Sequence, residues 1–355
     1  MMTRSLTRRV MVGSLAIGGG AAVSVQSMTN TDTRDAQATI EQIRRLEDAR
    51  CDLVRVAVRD QEAADALQRI VEAASIPVVA DIHFDYRLAL SAIRAGVDKL
   101  RINPGNIGSR QKTLEVVAAA RDAGTPIRIG VNGGSLPKDV LEKYGGPTAE
   151  ALVESALSHV GILESMDFLD IVISIKSSDV MTSVDAYSLM AARTSYPLHV
   201  GITEAGGKWR GTVKSCIGIG AVLSRGIGDT IRVSLTDDPV EEVRVGRMIL
   251  NAMGLRSDMV NVISCPTCGR TRVDLGRIAA EVESRLAGII APISVAVMGC
   301  EVNGPGEARE ADYGVACGKG CGLLFRKGQP LRTVSEERIV DELVEEVLRD
   351  VIEEG

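Results

Sequence analysis

"PVVADIHFDYRLALSAIRAGVDKLRINPG", residues 77–105, contains one complete strand–helix–strand unit. Two short apolar runs, PVVADIHF and DKLRINPG, enclose a segment that is amphipathic like a surface helix. Runs of this kind, without internal turn residues, are typical of buried parallel strands. Each run ends in polar residues, so the unit predicts a parallel sheet with polar side chains at the carboxyl ends of its strands.

The same unit recurs from about residue 23 to residue 254. The other strand candidates are VSVQSMT (23–29), LVRVAV (53–58), PIRIGVN (126–132), LDIVISIKS (169–177), PLHVGITE (197–204) and DTIRVSL (229–235). Helical segments such as DAQATIEQIRRLEDA lie between them. About eight such units in about 230 residues match a TIM (β/α)8 barrel. An open doubly wound sheet uses similar units, but the even spacing favours a closed barrel.

Two segments of the barrel region depart from this pattern. The longest gap between strands, residues 133–168, carries GGSLPKDVLEKYGGPT and predicts an extended loop over the mouth. Near the N-terminus, Arg8 and Arg9 precede an apolar stretch and resemble a twin-arginine export signal. Glycines interrupt that stretch, however, which favours a hairpin.

The pattern changes after Gly254. The chain then predicts a strand, the helix LGRIAAEVESRL, the strand ISVAVMG, a Gly-rich turn, two strands (YGVACGKG and GLLFRKG) and a C-terminal helix from Ser335. We therefore expect an α/β protein in which a TIM barrel, residues 1–254, is followed by a smaller α+β domain, residues 255–355. The linker is expected near residues 250–260.

Composition excludes several classes of protein. The chain has 355 residues, of which 45% are apolar and 25% charged, and a net charge of −6. An acidic chain is a poor match for bulk nucleic-acid binding. No apolar run reaches the roughly 18 residues of a membrane span. Seven cysteines, an odd number without a convincing signal peptide, favour the reducing cytoplasm and thiols used for metal or redox chemistry.

The strand ends of a TIM barrel converge on one mouth. Here they supply Arg55, Asp81, His83, Arg101, Asn103, Arg128, Asn132, Lys176, Ser177, Glu204, Lys214, Arg232 and Ser234. Arg forks match phosphate oxygens and Lys adds a mobile charge, so the set predicts a site for a small polyanion such as a diphosphate. The alternative is that these arginines form structural salt bridges inside the barrel.

Three of these side chains are candidates for proton chemistry. Glu204 is a lone acid among cations and is suited to moving protons on a bound substrate. Asp81 and His83 are two residues apart on a strand and therefore share one face. The alternatives are a salt-bridge role for Glu204 and a core position for His83.

The cysteines of the second domain predict a metal centre. SCPTCGR (264–270) supplies Cys265 and Cys268 from one turn, and GCEVNGPGE (299–307) supplies Cys300. Cys317 and Cys321, in CGKGC, leave open a zinc ribbon built from Cys265, Cys268, Cys317 and Cys321. That set would leave Cys300 unused within the same short domain.

Motifs along nearly the whole chain resemble the 4-hydroxy-3-methylbut-2-en-1-yl diphosphate synthase family. They are VQSMTNTDTRD, ADIHFDYRLAL, LRINPGNIG, RIGVNGGSL, ISIKSSDV, GITEAGG, TIRVSLTDDP, SCPTCGR and GCEVNGPGEA. The length is similar to that of the compact two-domain bacterial members. The chain departs from the family pattern at Ala22, Glu301, Cys317 and Cys321.

The resemblance implies an iron–sulfur oxidoreductase of the non-mevalonate isoprenoid route. It implies a [4Fe–4S] cluster held by Cys265, Cys268, Cys300 and Glu307, the carboxylate being the more easily displaced ligand. It assigns diphosphate binding to Arg55, Arg101, Asn103, Arg128, Asn132, Lys176, Arg232 and Ser234, and substrate contact to Asn303. It assigns proton chemistry to Glu204, with Asp81 and His83 nearby. The NGPG turn is expected to let Glu307 reach the cluster.

Flavodoxin or ferredoxin is the expected electron donor, because no nicotinamide or flavin motif is evident. The helix in DPVEEVRVGRMILNAMG would carry the chain roughly 22 Å away from the mouth, so we expect a head-to-tail homodimer, as the family resemblance also implies. Two other classes stay open: a barrel phosphate enzyme with a structural zinc domain, and a non-catalytic iron–sulfur sensor.

Overall fold

The computed structural model describes residues 4–302 and 304–354. The chain divides into two compact units, Met1–Leu255 and Arg256–Gly355. Each unit has a hydrophobic core of its own, and Val, Ile, Leu and Ala supply most of it, as the 3% aromatic content requires.

A short antiparallel hairpin opens the first unit. It consists of β1 (Val10–Val12) and β2 (Leu15–Ile17). The hairpin buries its apolar side chains against Leu53, Val79 and Val172, which lie near the amino ends of three barrel strands. The expected hairpin is thus confirmed, and it fills the end of the barrel opposite the mouth.

Eight parallel strands form the barrel. They are β3 Ser24–Met28, β4 Leu53–Val58, β5 Val78–Ile82, β6 Lys99–Ile102, β7 Ile127–Asn132, β8 Ile171–Lys176, β9 His199–Val200 and β10 Thr230–Ile231. They are hydrogen-bonded in the order β8-β7-β6-β5-β4-β3-β10-β9. A parallel bridge between Ile173 and Leu198 connects β8 to β9 and closes the ring. The TIM barrel predicted from the eight strand runs is confirmed.

The helices follow the strands in alternation. They are α1 Ala36–Asp48, α2 Gln61–Ala73, α3 Tyr86–Arg94, α4 Arg110–Ala123, α5 Lys138–Tyr144, α6 Ala149–Glu164, α7 Val180–Ala191, α8 Lys208–Leu223 and α9 Pro239–Ala252. Aspartates cap the amino ends of α1, α2, α3, α7 and α9, where each side chain accepts a hydrogen bond from a backbone N–H of the first turn. Each cap fixes the residue at which the loop after a barrel strand ends and the following helix begins.

The segment between β7 and β8 differs from the expected extended loop. Gly133–Ser135 forms a 3-10 turn, and α5 and α6 occupy most of the remaining residues. Glycine and proline in the first half of this segment suggested a loop and hid the helical pattern of the second half. In that second half Thr148 caps α6, and its Ala, Leu and Val side chains pack inward. The prediction of one long loop was therefore wrong, because α6 is the barrel's own crossover helix.

The second unit is a five-stranded mixed sheet between helices. Its elements are β11 Asn261–Ser264, α10 Leu275–Leu286, β12 Ser294–Met298, α11 Gly304–Glu310, β13 Tyr313–Gly318, β14 Cys321–Arg326, β15 Gln329–Ser335 and α12 Ile339–Glu354. β11, β12 and β13 are parallel, and β13, β14 and β15 are antiparallel. α10 and α12 cover one face of the sheet, and α11 packs on the other.

The segment after Cys300 also differs from its prediction. GPGEARE, expected to be a Gly-rich turn, forms α11. Proline is tolerated in the first turn of a helix, and Ala308 anchors this one by packing beside Met298 and Phe325. Glu307 therefore projects from a helix.

No described helix is both long and apolar enough to cross a lipid bilayer.

Candidate active site

The mouth of the barrel collects the side chains predicted from the strand ends. Strand register sets Arg101 beside Asp81 on one neighbouring strand and beside Arg128 on the other. Asn132 and Lys176 are likewise partners in register. Side chains that are distant in sequence therefore become neighbours because parallel strands hold them at the same height.

Asp81 is the charge partner of three groups in this cluster. Its carboxylate lies 3.1 Å from Arg101 Nη1, 3.5 Å from His83 Nε2 and 3.8 Å from Arg55 Nε. Burial alone would raise the pKa of Asp81, but Arg55, His83 and Arg101 together hold that pKa well below its ordinary value. Asp81 is thus an ionised group that orients cations, and it is poorly suited to donate a proton.

His83 lies beside both Arg101 and Asp81. Its Nε2 atom is 2.8 Å from Arg101 Nη1 and 3.5 Å from Asp81 Oδ1. The ring is 41% exposed, so it faces the mouth and is not a core histidine.

Several cations deeper in the barrel lack partners. Arg128 is fully buried, and none of its three guanidinium nitrogens has a hydrogen-bond partner. Burial lowers the pKa of Arg128, with the repulsion of Arg55 and Arg101 as a second cause. Burial likewise lowers the pKa of Lys176, helped by repulsion from Arg232 and Arg128. Buried polar groups are normally hydrogen-bonded, so this cluster has donors that could bind an anion.

Lys99 and His199 belong to the same interior but were absent from the predicted set. Lys99 Nζ and His199 Nε2 are fully buried without a partner, and burial lowers both pKa values well below the ordinary ones. Lys99 lies two residues before Arg101, so the alternation of strand side chains places it on the same inward face. The alternation is visible in the sequence, but the predicted set was taken from the strand ends and therefore did not include Lys99.

Glycines give the cationic side chains their room. A Cβ atom on Gly130 would lie 2.5 Å from Arg101 Nε. A Cβ on Gly201 would lie 2.4 Å from the carbonyl oxygen of Arg232 and 3.0 Å from Lys176 Nζ. The smallest residue is therefore required where neighbouring strands bring a long cation against their backbone.

The predicted polar residues take up positions around these cations. Asn103 donates from Nδ2 to Ser135 Oγ at 3.2 Å and accepts at Oδ1 from the Gly105 N–H at 3.1 Å. Asn132 caps the 3-10 turn that contains Ser135. Ser234 is half-buried, two residues after Arg232. The asparagines thus shape the loops at the mouth.

Glu204 is exposed and has a strained backbone. Its φ is +53°, in the left-handed region that non-glycine residues seldom adopt. Strain of this kind is concentrated at functional sites. The carboxylate is therefore held at the mouth by the fold and stays open to a bound molecule.

The expected alternative, structural salt bridges, applies to part of the set. Arg55 and Arg101 pair with Asp81, and Arg232 pairs with Glu242 at 3.2 Å. In the part of the chain that the structure describes, Arg128 and Lys176 have no ion pair. The mouth thus contains cations that are paired with carboxylates and, among the described residues, cations that have no ion-pair partner.

The predicted metal-binding cysteines lie at one edge of the second sheet. Cys265 follows β11 and Cys300 follows β12, and these neighbouring strands are parallel. The Gly299 N–H donates to Cys265 Sγ at 3.2 Å, a contact that stabilises a thiolate. Glu307 is exposed on α11, which packs on β12 and β13.

The donor set suits an iron–sulfur cluster. Hydrogen bonds from Arg270 lower the pKa of Cys268, which favours the thiolate that metal binding requires. Three thiols with one carboxylate are ligands of the right type. Within residues 4–302 and 304–354, however, no three His, Cys, Asp or Glu side chains are close enough together to hold a metal ion. Asn303 lies outside the described residues.

The alternative zinc set is less well placed. Cys317 is fully buried under α10 and α12, and burial, with Glu336 nearby, raises the pKa of its thiol to about 12. Cys317 is paired in register with Gly322, and Gly318 is paired with Cys321. Successive residues of a strand face opposite ways, so the two thiols lie on opposite faces of the hairpin.

Comparison with known families covers both units. The model of the GcpE TIM-barrel domain matches residues 7–247, and that of the GcpE protein C-terminal domain matches residues 261–349. Among solved structures, dihydropteroate synthase from Yersinia pestis aligns with a TM-score of 0.50 at 10% identity, over 70% of this chain and 100% of its own. At that identity the likeness concerns the barrel fold alone.

Curated relatives are similar over nearly their entire length. A protein of Clostridium acetobutylicum is 61% identical over 98% of this chain and 99% of its own. A protein of Clostridium perfringens is 60% identical and one of Geobacter sulfurreducens is 59% identical. Each of these alignments covers 97% of this chain and 98% of the relative. Each is named 4-hydroxy-3-methylbut-2-en-1-yl diphosphate synthase (flavodoxin).

Gly130→Ala should weaken anion binding through Arg101. The new methyl group would displace the guanidinium, and a lost charge-assisted hydrogen bond of about 1.5–3 kcal/mol corresponds to roughly a 10- to 150-fold loss of affinity. Calorimetric titration with inorganic pyrophosphate measures the effect. Gly134→Ala is the matched control, because no atom lies within 4 Å of its Cβ position. Equal affinities for the two variants would contradict the assignment.

Lys99→Met should raise the melting temperature. The lowered pKa of Lys99 means that the unfolded chain binds the extra proton, so the lysine opposes folding at any pH below its unfolded value of about 10.5. Within this range the gain in melting temperature should therefore be largest near neutral pH and shrink toward pH 10.5. Each kcal/mol of added stability should raise the melting temperature by about 2–4 °C. Thermal unfolding across this pH range tests it, with the exposed Lys138→Met as control. A lower melting temperature would show that Lys99 has a stabilising partner.

Proposed function

The chain belongs to the GcpE family of 4-hydroxy-3-methylbut-2-en-1-yl diphosphate synthases, and from this premise we propose how its residues divide the work. The enzyme converts 2-C-methyl-D-erythritol 2,4-cyclodiphosphate to (E)-4-hydroxy-3-methylbut-2-enyl diphosphate, by reductive ring opening and loss of water, in the non-mevalonate isoprenoid pathway. In the proposal, residues 1–254 bind the substrate and residues 255–355 carry the cluster.

The unpartnered buried cations support the substrate site. Arg128 and Lys176 are buried beside Arg55, Arg101 and Arg232, in a chain that is acidic overall. A diphosphate offers several oxygens, each of which can accept more than one hydrogen bond, and so it satisfies many donors at once. Asn103, Asn132 and Ser234 complete the proposed set at the mouth.

Glu204 is the proposed proton-transfer group. It is exposed at the mouth, on a strained backbone, where it can reach a substrate whose diphosphate is held deeper in the barrel. Asp81 stays ionised among its cations and positions Arg55, Arg101 and His83. Of the three predicted residues, Glu204 would therefore transfer protons, whereas Asp81 and His83 would hold the cations of the site in position.

Cys265, Cys268, Cys300 and Glu307 are the proposed cluster ligands. When bound, a [4Fe–4S] cluster supplies single electrons and an iron that can take an oxygen ligand. The Gly299 N–H stabilises the sulfur of Cys265, and the exposed carboxylate of Glu307 suits a replaceable ligand. Asn303 is proposed to contact the substrate.

The partners of the enzyme follow from the same proposal. The relatives' name includes flavodoxin, and we propose flavodoxin or a ferredoxin as the donor. We further propose a homodimer in which each cluster serves the partner's barrel, because α9 leads the chain away from the mouth. Reduced thiols favour a cytoplasmic site of action.

Anaerobic purification followed by ultraviolet–visible spectroscopy and turnover of the cyclodiphosphate tests the proposal. Iron–sulfur absorbance, iron in the preparation and product formation are expected together. Zinc without such absorbance would favour a barrel enzyme with a structural zinc domain. A cluster with no binding of the cyclodiphosphate would favour an iron–sulfur sensor.

Removing single ligands should separate structural from replaceable ones. Cys268→Ser should lose iron outright, whereas Glu307→Ala should keep part of its iron, because three thiolates remain, and lose most of its turnover. Iron content per chain and turnover with a reduced donor measure the two effects. Cys321→Ser, on the same domain, is the control and should keep its iron. Full iron in Cys268→Ser, or normal turnover in Glu307→Ala, would refute the ligand set.

Mixing two inactive proteins tests the shared site. Glu204→Gln has a damaged barrel and Cys300→Ser a damaged cluster, so a mixed dimer would contain one intact barrel served by one intact cluster. Activity should partly return after subunit exchange, which differently tagged subunits can demonstrate by co-purification. A site formed within one chain predicts no recovery despite exchange, and an active monomer in sedimentation would also exclude the shared site.

A further inference from the structure

Glu242 is a buried carboxylate that neither the sequence motifs nor the proposed site includes. It lies in the first turn of α9, a helix on the outer layer of the barrel, yet it is only 3% exposed. Buried carboxylates are rare unless they are paired. The partners of this one therefore show what it is buried to do.

Both oxygens of Glu242 are engaged on the barrel side. Oε1 accepts from Arg232 Nη2 at 3.2 Å and from the Leu235 N–H at 3.0 Å. Oε2 accepts from Arg232 Nε at 3.2 Å and from Ser27 Oγ at 3.0 Å. The carboxylate thus holds the Nε–Nη2 edge of one guanidinium in a bidentate pair, while a strand residue and a loop amide fix the carboxylate itself.

Arg232 has a specific need for such a partner. Its charge contributes to lowering the pKa of Lys176 and of Arg55, so it stands among like charges. Glu242 is the ion-pair partner of Arg232 within the described part of the chain. Without the carboxylate, repulsion would favour rotamers that carry the guanidinium out toward solvent, since its side chain is already 15% exposed.

We propose that Glu242 is a positioning residue for diphosphate binding: it holds Arg232 in the mouth and directs the remaining edge of the guanidinium toward the substrate. The inference rests on the proposed role of Arg232 as a diphosphate ligand. Asp81 has the corresponding place on the other side of the mouth, where it orients Arg55 and Arg101. Two buried carboxylates would then orient three of the five cations proposed to bind the diphosphate, and Arg128 and Lys176 would rely on the walls of the barrel.

The experiment uses Glu242→Gln in the cluster-loaded enzyme. Glutamine keeps the size of the side chain and an oxygen for the Leu235 amide, while its NH2 group can donate to Ser27 Oγ, so the fold should persist. The loss of charge should raise KM for the cyclodiphosphate and Kd for inorganic pyrophosphate roughly 10- to 100-fold, as for a charge-assisted hydrogen bond, with a smaller change in kcat.

Glu241→Gln is the matched control. Glu241 is the preceding residue of the same helix turn but pairs on the surface with Lys208 at 2.9 Å and Arg244 at 2.6 Å. It should leave KM and Kd unchanged. A purely structural Glu242 predicts instead a lower melting temperature for Glu242→Gln with unchanged affinity for pyrophosphate, and that outcome would overturn the inference.

A double-mutant cycle with Arg232→Met decides whether Glu242 acts through Arg232. If it does, the double variant should bind pyrophosphate no more weakly than Arg232→Met alone. Additive losses would refute the inference. If Arg232→Met itself leaves binding unchanged, the proposed diphosphate role of Arg232 fails. Weakened binding in Arg232→Met with normal binding in Glu242→Gln would refute the positioning role alone.

Discussion

Concentrating positive charge inside a closed barrel is the constraint on which the rest of this structure depends. Desolvation disfavours each buried cation, and mutual repulsion adds to that cost. Arg128, Lys176, Lys99 and His199 all have pKa values lowered by burial, with repulsion from other cations as a further cause. The scaffold around them must therefore be stable enough to hold a site that opposes folding.

Three features of the fold meet that demand. The ring of strands closes through the Ile173–Leu198 bridge, so every strand has neighbours on both sides. The N-terminal hairpin seals the lower end with apolar side chains. Asp81 and Glu242 place negative charge beside Arg101, Arg55 and Arg232 without removing the charge of the remaining cations. The open end is left as the place where an anion can supply the missing hydrogen bonds.

The second unit carries Cys265 and Cys300 at one edge of its sheet, where we propose that they bind the cluster. Its sheet is covered on both faces, and the turns that follow β11 and β12 carry the thiols. Helix α11 fixes the backbone position of Glu307 against the sheet, whereas a flexible turn would leave that position variable. If Glu307 is the replaceable ligand that we propose, rotation of its side chain would be enough to release the carboxylate, without refolding of the backbone.

The sequence determined the barrel, the second domain and most of the charged side chains that line the mouth, because these features leave local signals. Strand runs such as LVRVAV coincide with β4, and LGRIAAEVESRL coincides with α10. Charged residues at the ends of apolar runs pointed to the mouth, since parallel strands place their carboxyl ends together. Local signals misled where glycine and proline preceded a helix, as at α5, α6 and α11, and the edge strand β15 was not predicted.

Only the tertiary structure decided which cations have partners. Strand alternation places Lys99 on the inward face, but neither Lys99 nor His199 carries a local signal that its buried nitrogen lacks a hydrogen-bond partner. Glu242 belongs to a helix with many charged residues, and nothing in its neighbours distinguishes it from Glu241. The difference arises from packing: one carboxylate points into the barrel wall beside Arg232, and the other faces Lys208 and Arg244 at the surface. Burial and pairing depend on residues that are distant in the chain, so a local pattern cannot specify them.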